Sequence, residues 1–196
     1  MKNLFILLVI AVFFVSCHED HSDLIPGQDF IPEEILAEIK ANGQPIFEGL
    51  NPPDISGEFL VSPYILVSSN FDDIWNPGHV FNDQYIEFIN LDQNTLKLEV
   101  KIISGTGGST GEGFGSFISG EGNDFTVFVR VDRTDEDGHT SLTTEVYSGT
   151  LTDNGILNMY GSLFMVDDNG DPNNDLLENG NGRLFYDSDG FSEKVR

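Results

Sequence analysis

The amino-acid sequence predicts an all-β domain, an antiparallel up-and-down barrel of about eight strands, with a β-sandwich as the alternative. The first observation is strict alternation of apolar and polar residues over 95–102, a period of two that is typical of a half-buried strand. The segments 125–132 and 157–165 alternate in the same way. The second observation is that short turns rich in Gly, Asn and Asp separate these segments, as in an antiparallel meander.

Weaker alternation marks further strands. The additional candidates are 57–67, 85–91, 113–119, 142–151 and 183–187. The turn segments between strands are 91–94, 120–124, 135–138 and 153–155. Counted together, these segments give about eight strands joined by short connections.

One short N-terminal helix precedes the strands, over residues 31–43. Pro32 suits a first helical position, and Gly43 suits the residue that follows the last turn. An apolar stripe repeats every four residues, at Ile31, Ile35 and Ile39. We therefore expect one face of this helix to pack on the sheet.

The first seventeen residues have the features of an export signal. Lys2 supplies a positive charge, and Leu4–Val15 is an apolar run that is too short for a spanning helix. The next residues, Phe14-Val15-Ser16-Cys17, resemble the lipobox of bacterial lipoproteins. The resemblance implies that 1–16 are a signal peptide, and that lipid is attached to Cys17 after cleavage before it.

The remaining chain divides into two parts. Residues 17–29 read as an acidic tether, and 30–196 as a single β-domain with its N-terminal helix. Acidic residues directly after the cysteine resemble the surface-export signal of lipoproteins in the Bacteroidetes group. We therefore expect a lipid-anchored protein of the outer membrane, with surface exposure left open. Because Cys17 is the only cysteine, the fold has to depend on its apolar core.

The charge excludes some partners. The chain has 33 acidic and 9 basic residues, a formal net charge of −24. A field of this sign repels nucleic acid and anionic lipid head groups, so the expected membrane contact is through the lipid anchor alone.

No set of residues predicts an enzyme. The run 107–111 matches Gly-x-Ser-x-Gly by letters, but Ser109 lacks the strand-to-helix turn and the acid–histidine context of that motif. The four histidines show no zinc-type spacing. We therefore expect a protein without catalytic residues.

The densest group of oxygen ligands lies in one loop. Its members with the alternating spacing of calcium loops are Asp167, Asn169, Asp171 and Asp175. The loop departs from the EF-hand pattern, because Pro172 follows the third ligand. The sequence therefore suggests calcium as a cofactor of this loop, and the alternative is a polar turn without a metal.

One segment carries a family resemblance. Residues 51–63, Asn-Pro-Pro-Asp-Ile-Ser-Gly-Glu-Phe-Leu-Val-Ser-Pro, resemble a set of uncharacterised lipoproteins from Bacteroidetes. Within this segment, Gly57-Glu58-Phe59 is similar to the Gly-x-Trp opening of the lipocalin-type barrel, with Phe59 in place of Trp. That resemblance implies a barrel able to hold one small ligand.

Two roles follow as hypotheses. The first is a non-enzymatic binding module for a small apolar or glycan ligand, held in a barrel interior or at its mouth. It predicts an open lumen lined by one strand face, for instance by Leu96, Leu98, Val100, Phe125, Val127 and Val129. Aromatic residues around 70–78 could stack on sugar rings, namely Tyr64, Phe71, Trp75 and Phe81. The alternative is a structural or accessory protein that docks to another envelope component through an exposed apolar patch.

Overall fold

The computed structural model describes residues 31–105, 108–171 and 173–196. They form an all-β fold with one short helix, as predicted. The elements in chain order are α1 Glu33–Ala41, β1 Leu50–Asn51, β2 Gly57–Val61, β3 Tyr64–Ser69, β4 Val80–Phe81, β5 Gln84–Asp92, β6 Lys97–Ser104, β7 Thr110–Glu121, β8 Asp124–Thr134, β9 Thr140–Thr152, β10 Gly155–Asp167, β11 Gly182–Asp187 and β12 Phe191–Lys194.

The strands form a barrel-like ring. Strands β5 to β10 make an antiparallel meander in which each strand pairs with the next. The last strand, β12, pairs with both β10 and β2, and β2 pairs with β5. The path of hydrogen-bonded pairs therefore returns to its start after eight strands, which agrees with the strand number expected from the sequence.

Strand β10 has a fork on one of its edges. Its first residues, Gly155–Leu157, pair with β12, whereas Tyr160–Phe164 pair with β11. A bulge lies between the two pairings, and Asn158 adopts a φ of 51° there. Beyond the fork the sheet continues from β11 to β3 and β4. One end of the ring is therefore completed by β12 and β2, and the other end is bounded by β11, β3 and β4.

The weak strand candidate 57–67 is two strands in the structure, and the sequence-based boundary was wrong there. Strand β2 ends at Val61 and β3 starts at Tyr64. Pro63 has no backbone N–H to donate to a ladder, and the Ser62 N–H donates instead to the Asp187 carboxylate at 3.3 Å. The two strands consequently pair with different partners, β5 and β11.

The closed end of the ring is filled by large apolar side chains. Phe59, Phe88 and Phe125 are each completely buried, and their rings lie about 6 Å apart, at 6.1 Å and 6.2 Å between centroids. Strand β7 presents Gly113 to this interior, where a Cβ would come within 2.4 Å of a Val129 methyl group. Close packing of this kind leaves the β7 backbone in contact with its neighbours.

The interior around the predicted lumen residues is a packed core. All six belong to one buried cluster, and the most exposed of them, Leu96, has only 8 % of its surface accessible. An open lumen would expose these side chains to a water-sized probe. The expectation of an open lumen lined by these six is therefore not met, and any ligand has to bind elsewhere.

The helix packs against the outside of the ring. Its buried residues, Leu36 and Ile39, contact Phe128, Val146 and Phe164, which are outward-facing residues of β8, β9 and β10. These three strands are therefore covered on both faces. No helix in the described part of the chain has the length and apolar character needed to span a bilayer.

We expect Phe125→Ala to lower the free energy of unfolding by about 3–5 kcal/mol, because truncating a buried Phe leaves a cavity. Phe114→Ala is the matched control, since Phe114 is 58 % exposed on β7, and should change stability by less than about 0.5 kcal/mol. Urea unfolding of the full chain measures both. Equal losses in the two variants would contradict a packed interior at Phe125.

Candidate functional site

The mouth of the ring, opposite the apolar closed end, contains a buried ion pair. Arg133 of β8 and Glu145 of β9 point inward, with side chains 14 % and 1 % exposed. Arg133 Nε donates to Glu145 Oε1 at 2.6 Å, and Nη2 donates to Oε2 at 3.0 Å. This bidentate geometry matches the planar guanidinium to both carboxylate oxygens, which makes the pair strong and directional.

The Glu145 carboxylate also accepts hydrogen bonds from two hydroxyl groups. Thr143 Oγ1 donates to Oε1 at 2.8 Å, and the Tyr147 hydroxyl donates to Oε2. Burial, reinforced by the Glu145 charge, raises the pKa of Tyr147 well above its ordinary value. Burial alone would lower the pKa of Arg133, but the charge and hydrogen bonds of Glu145 outweigh it and hold that pKa above its ordinary value. The network is therefore an ion pair with the neutral phenol of Tyr147 beside it.

A second inward arginine comes from β11. Arg183 Nε donates to Asp73 Oδ2 at 2.7 Å and Nη2 to Oδ1 at 2.9 Å. The hydrogen bond from Arg183 is the main reason that the pKa of Asp73 falls to about 2. The guanidinium carbon also lies 5.5 Å from the Phe71 ring centroid and 5.4 Å from that of Phe81. Arg183 therefore fixes the loop 70–79 over the mouth.

The aromatic residues of that loop support one another. Trp75 stacks on His79 at 4.0 Å between ring centroids, and both rings meet Phe81 edge-on. Phe81 in turn meets Phe185 at 5.4 Å, and Phe185 stacks on Tyr64 at 4.5 Å. Trp75 keeps 39 % of its surface exposed, and the stacking of these aromatic residues on sugar rings stays a prediction.

A cleft of about 580 Å³ separates the loop 70–79 from the loop that follows β10. One wall carries Phe71, Asp72 and Trp75, and the other carries Asn174, Asp175, Leu176, Leu177 and Glu178, with Arg183 at the base. Two smaller cavities of about 250 Å³ and 220 Å³ lie below. Arg183 lines all three spaces.

The two smaller cavities are adjoining. The residues that line both are Ser109, Arg133, Leu163, Arg183 and Phe185. The larger one also includes Asp135, His139 and Asp175. The smaller one, which we call the inner pocket, is lined by Tyr64, Phe81, Asn82, Gln84, Ser104 and the five shared residues. No carboxylate is among its lining residues.

The calcium hypothesis concerns the loop after β10. Asp167 Oδ1 accepts the Asn169 N–H at 2.8 Å, and the Asp171 carboxylate accepts two backbone N–H groups, from Asn173 and Leu176. Asn169 also donates its side-chain amide to Thr140. These contacts are those of a polar turn. Calcium binding by Asp167, Asn169, Asp171 and Asp175 stays a prediction.

A different group meets the geometric requirement for a metal among the described residues. Asp135, Asp137 and His139 have ligand atoms within 4.8 Å of one another, in the turn between β8 and β9. The Asp135 carboxylate is already engaged, since it accepts two backbone N–H groups and contacts His139 Nδ1 at 2.9 Å. These contacts are those of a hairpin turn in which the Asp135 carboxylate is bonded to His139, and they explain why the three residues lie close together.

Ser109 and the Asp135–His139 pair line the same cavity. Ser109 Oγ accepts a hydrogen bond from Arg133 Nη1 at 3.3 Å. Among the described residues, no hydrogen bond joins Ser109 to His139.

A depression on the outer face of the ring is a weaker candidate for a binding site. It has about 450 Å³ and is crossed by a row of residues paired strand to strand, namely Glu58, Glu87, Lys101, Glu112 and Asp132. Four carboxylates around one lysine are typical of a solvated face of an acidic protein. The mouth, with its paired arginines and aromatic residues, is therefore the candidate site.

Sequence reasoning missed the central residues of the mouth. Alternation along β8 from Val127 and Val129 places Arg133 on the inward face, and alternation along β9 places Glu145 there. A charged residue at an inward position is the signal that identifies the pair. Cys17, the predicted lipidation site, lies outside the described residues.

Comparison with known proteins gave no relatives. No protein-family model matches the chain. No curated protein and no solved structure matches it either. The resemblance to lipocalins and to Bacteroidetes lipoproteins therefore stays a prediction.

The buried ion pair can be tested by a double-mutant cycle. We expect Glu145→Leu to lower the free energy of unfolding by about 3–5 kcal/mol, because it leaves Arg133 buried without a counter-charge. Adding Arg133→Met should recover most of that loss, since neither charge is then left alone. Urea unfolding measures the cycle. A double variant as unstable as the single would contradict a charge-based origin.

The Asp135 hydrogen bond and charge raise the pKa of His139 above its ordinary 6.5. We expect Asp135→Asn to lower the pKa of the His139 ring, as followed by NMR. Asp137→Asn should change that pKa less. Because this pKa is higher in the folded state, protonated His139 stabilises the protein fully at a pH below the pKa of the unfolded state. The contribution is lost as the pH rises through the pKa of the folded state. The stability difference between wild type and Asp135→Asn should therefore shrink from pH 5.5 to 8.5; a constant difference would contradict this linkage.

Proposed function

We propose that this chain is a non-enzymatic binding module that holds a glycan in the cleft at the mouth of the ring. The single observation that carries the proposal is the cleft itself. It combines an exposed aromatic face, Trp75, with carboxylate and amide groups from a facing loop. Sugar rings present apolar C–H faces and a girdle of hydroxyl groups, and this mixture of surfaces suits both.

The cleft is rigid enough to serve this role. The Trp75 ring stacks on His79, and the Asp73 carboxylate accepts hydrogen bonds from the backbone N–H of Trp75 and from two Arg183 donors. Asn70 ties the second loop to the first, since its side chain accepts from the Gly182 N–H at 2.7 Å and donates to the Gly180 carbonyl at 3.1 Å. A preformed cleft reduces the entropy lost when a ligand binds.

The packed interior favours the glycan over an apolar ligand. The apolar side chains that would line a lumen occupy it themselves, and the cleft at the mouth is lined mainly by polar groups. We further propose that the module is displayed on the cell envelope, anchored through lipid on Cys17. An acidic tether and a binding cleft at one end of the domain suit a receptor that faces outward.

Docking to another envelope protein is the second candidate function. Ile74 is 83 % exposed and Val80 is 58 % exposed, and both belong to the segment that carries Trp75. An apolar group of this kind suits a protein contact. Retained capture of an envelope protein by a chain that binds no glycan would favour this alternative.

Trp75 is the only tryptophan in the chain, so its fluorescence reports directly on the cleft. We expect titration with a panel of neutral and acidic oligosaccharides to shift or quench this emission for at least one member. The full chain should be kept in a detergent without sugar groups, because sugar detergents would compete.

Substitution then assigns the binding to the cleft. Trp75→Ala should weaken binding, measured by calorimetry, at least tenfold, which corresponds to about 1.4 kcal/mol. Phe114→Ala removes another exposed aromatic side chain, from a different face, and should leave affinity unchanged. Equal losses in both variants, or no response to any glycan, would count against the proposal.

A further inference from the structure

We infer that the inner pocket binds an anionic group of the ligand, a carboxylate or a sulfate. This inference rests on the proposed function, because it names the class of glycan that the mouth accepts. The pocket combines two arginines with hydroxyl and amide groups and has no acidic side chain in its lining. The chain as a whole has 33 acidic residues against 9 basic ones, so this lining stands apart from the rest of the surface.

The two guanidinium groups are oriented for this task. In each, the edge formed by Nε and Nη2 is occupied by a protein carboxylate, Glu145 for Arg133 and Asp73 for Arg183. A guanidinium has five N–H donors, so the edge formed by Nη1 and the second Nη2 hydrogen remains. Arg133 Nη1 has only a 3.3 Å contact with Ser109, and no described residue accepts from Arg183 Nη1.

Tyr64 provides a third donor. The residue lines the pocket, is only 9 % exposed, and its hydroxyl has no hydrogen-bond partner among the described residues. The hydroxyl can therefore donate to a group that enters the pocket. The position is built for the phenol, since a Cβ on Gly161 would lie 3.1 Å from the Tyr64 oxygen.

The pocket has room for an anionic group. Its volume of about 220 Å³ is room for roughly seven water molecules at about 30 Å³ each. That is enough for a carboxylate or sulfate and the carbon that bears it. The remaining rings of a glycan would extend past Arg183, which borders the cleft as well.

The carbon skeleton also finds contacts. Phe81, Leu163 and Phe185 supply apolar surface beside the donors. Charge-assisted hydrogen bonds from an arginine fork are shorter and about twice as strong as neutral ones. We therefore expect an acidic sugar to bind better than its neutral counterpart, with the anionic group innermost.

The test compares ligands that differ only in charge. The probes are trigalacturonate, its fully methyl-esterified form and a sulfated neutral trisaccharide with its unsulfated parent. Each is titrated into the full chain by calorimetry. We expect one of the two anionic probes to bind at least tenfold more tightly than its uncharged partner, and the arm that responds identifies the group as carboxylate or sulfate.

A conservative variant assigns the effect to the inner pocket. Tyr64→Phe removes a hydroxyl that has no hydrogen-bond partner among the described residues, so the melting temperature should stay unchanged. Affinity for the anionic probe should fall about tenfold, the size of one hydrogen bond to a charged group, and affinity for the uncharged partner should not. Tyr186→Phe is the matched control, because its hydroxyl contacts Asn158 on the outer surface.

The outcomes separate the two proposals. Charged and uncharged probes that bind equally, or a Tyr64→Phe variant that binds the anionic probe like wild type, overturn the inner pocket and leave the glycan cleft in place. Failure of every oligosaccharide to bind or to change Trp75 fluorescence overturns both.

Discussion

The structure depends on the fork in β10. A single strand edge pairs first with β12 and then with β11, and the bulge at Asn158 is where the edge changes partner. If β10 were regular, one partner strand would pair along its full length. No space would then remain for the mouth at one end of the ring. The bulge bends and twists the strand locally. A packed end and a mouth therefore arise in the same ring from one irregular residue.

The same fork separates apolar from polar packing. At the end completed by β12, phenylalanine side chains fill the interior. At the other end β11 brings Arg183 inward, and β8 and β9 supply Arg133 and Glu145. A buried ion pair contributes less to stability than an apolar core of equal volume would, because both charges lose their hydration. Stability alone therefore does not account for its presence at the mouth.

The sequence was sufficient for the class of fold because alternation records burial on one face. Val127, Val129 and their neighbours on β8 were assigned to the inward face, and that assignment is confirmed. The same reasoning failed where hydrogen bonding overrides alternation. Leu157 was placed on the apolar face of β10, but the bulge that follows leaves it 41 % exposed. The fork could not be inferred, because the choice between two partners depends on contacts distant in sequence.

The mouth was hidden for a related reason. Asp73 and Arg183 are 110 positions apart in the chain, and nothing local to either residue indicates the other. The aromatic residues near 70–78 could be recognised as a group since they are close in sequence, whereas the donors beneath them come from different strands. Position in the fold, rather than residue type, converts these side chains into one site.

The pairing of each arginine with its own carboxylate reconciles an anionic ligand with an acidic protein. Two unpaired guanidinium groups in this cavity would repel each other before a ligand arrived, and the loop 70–79 would lose its ion pair with β11. With Glu145 and Asp73 bound at one edge of each fork, the donors are already oriented when the ligand enters. The general negative charge acts over roughly 8 Å at physiological salt, whereas the donors act at contact. In the proposed site, selectivity for an anionic group would therefore be set inside the pocket, where the lining has no carboxylate, and not by the charge of the chain.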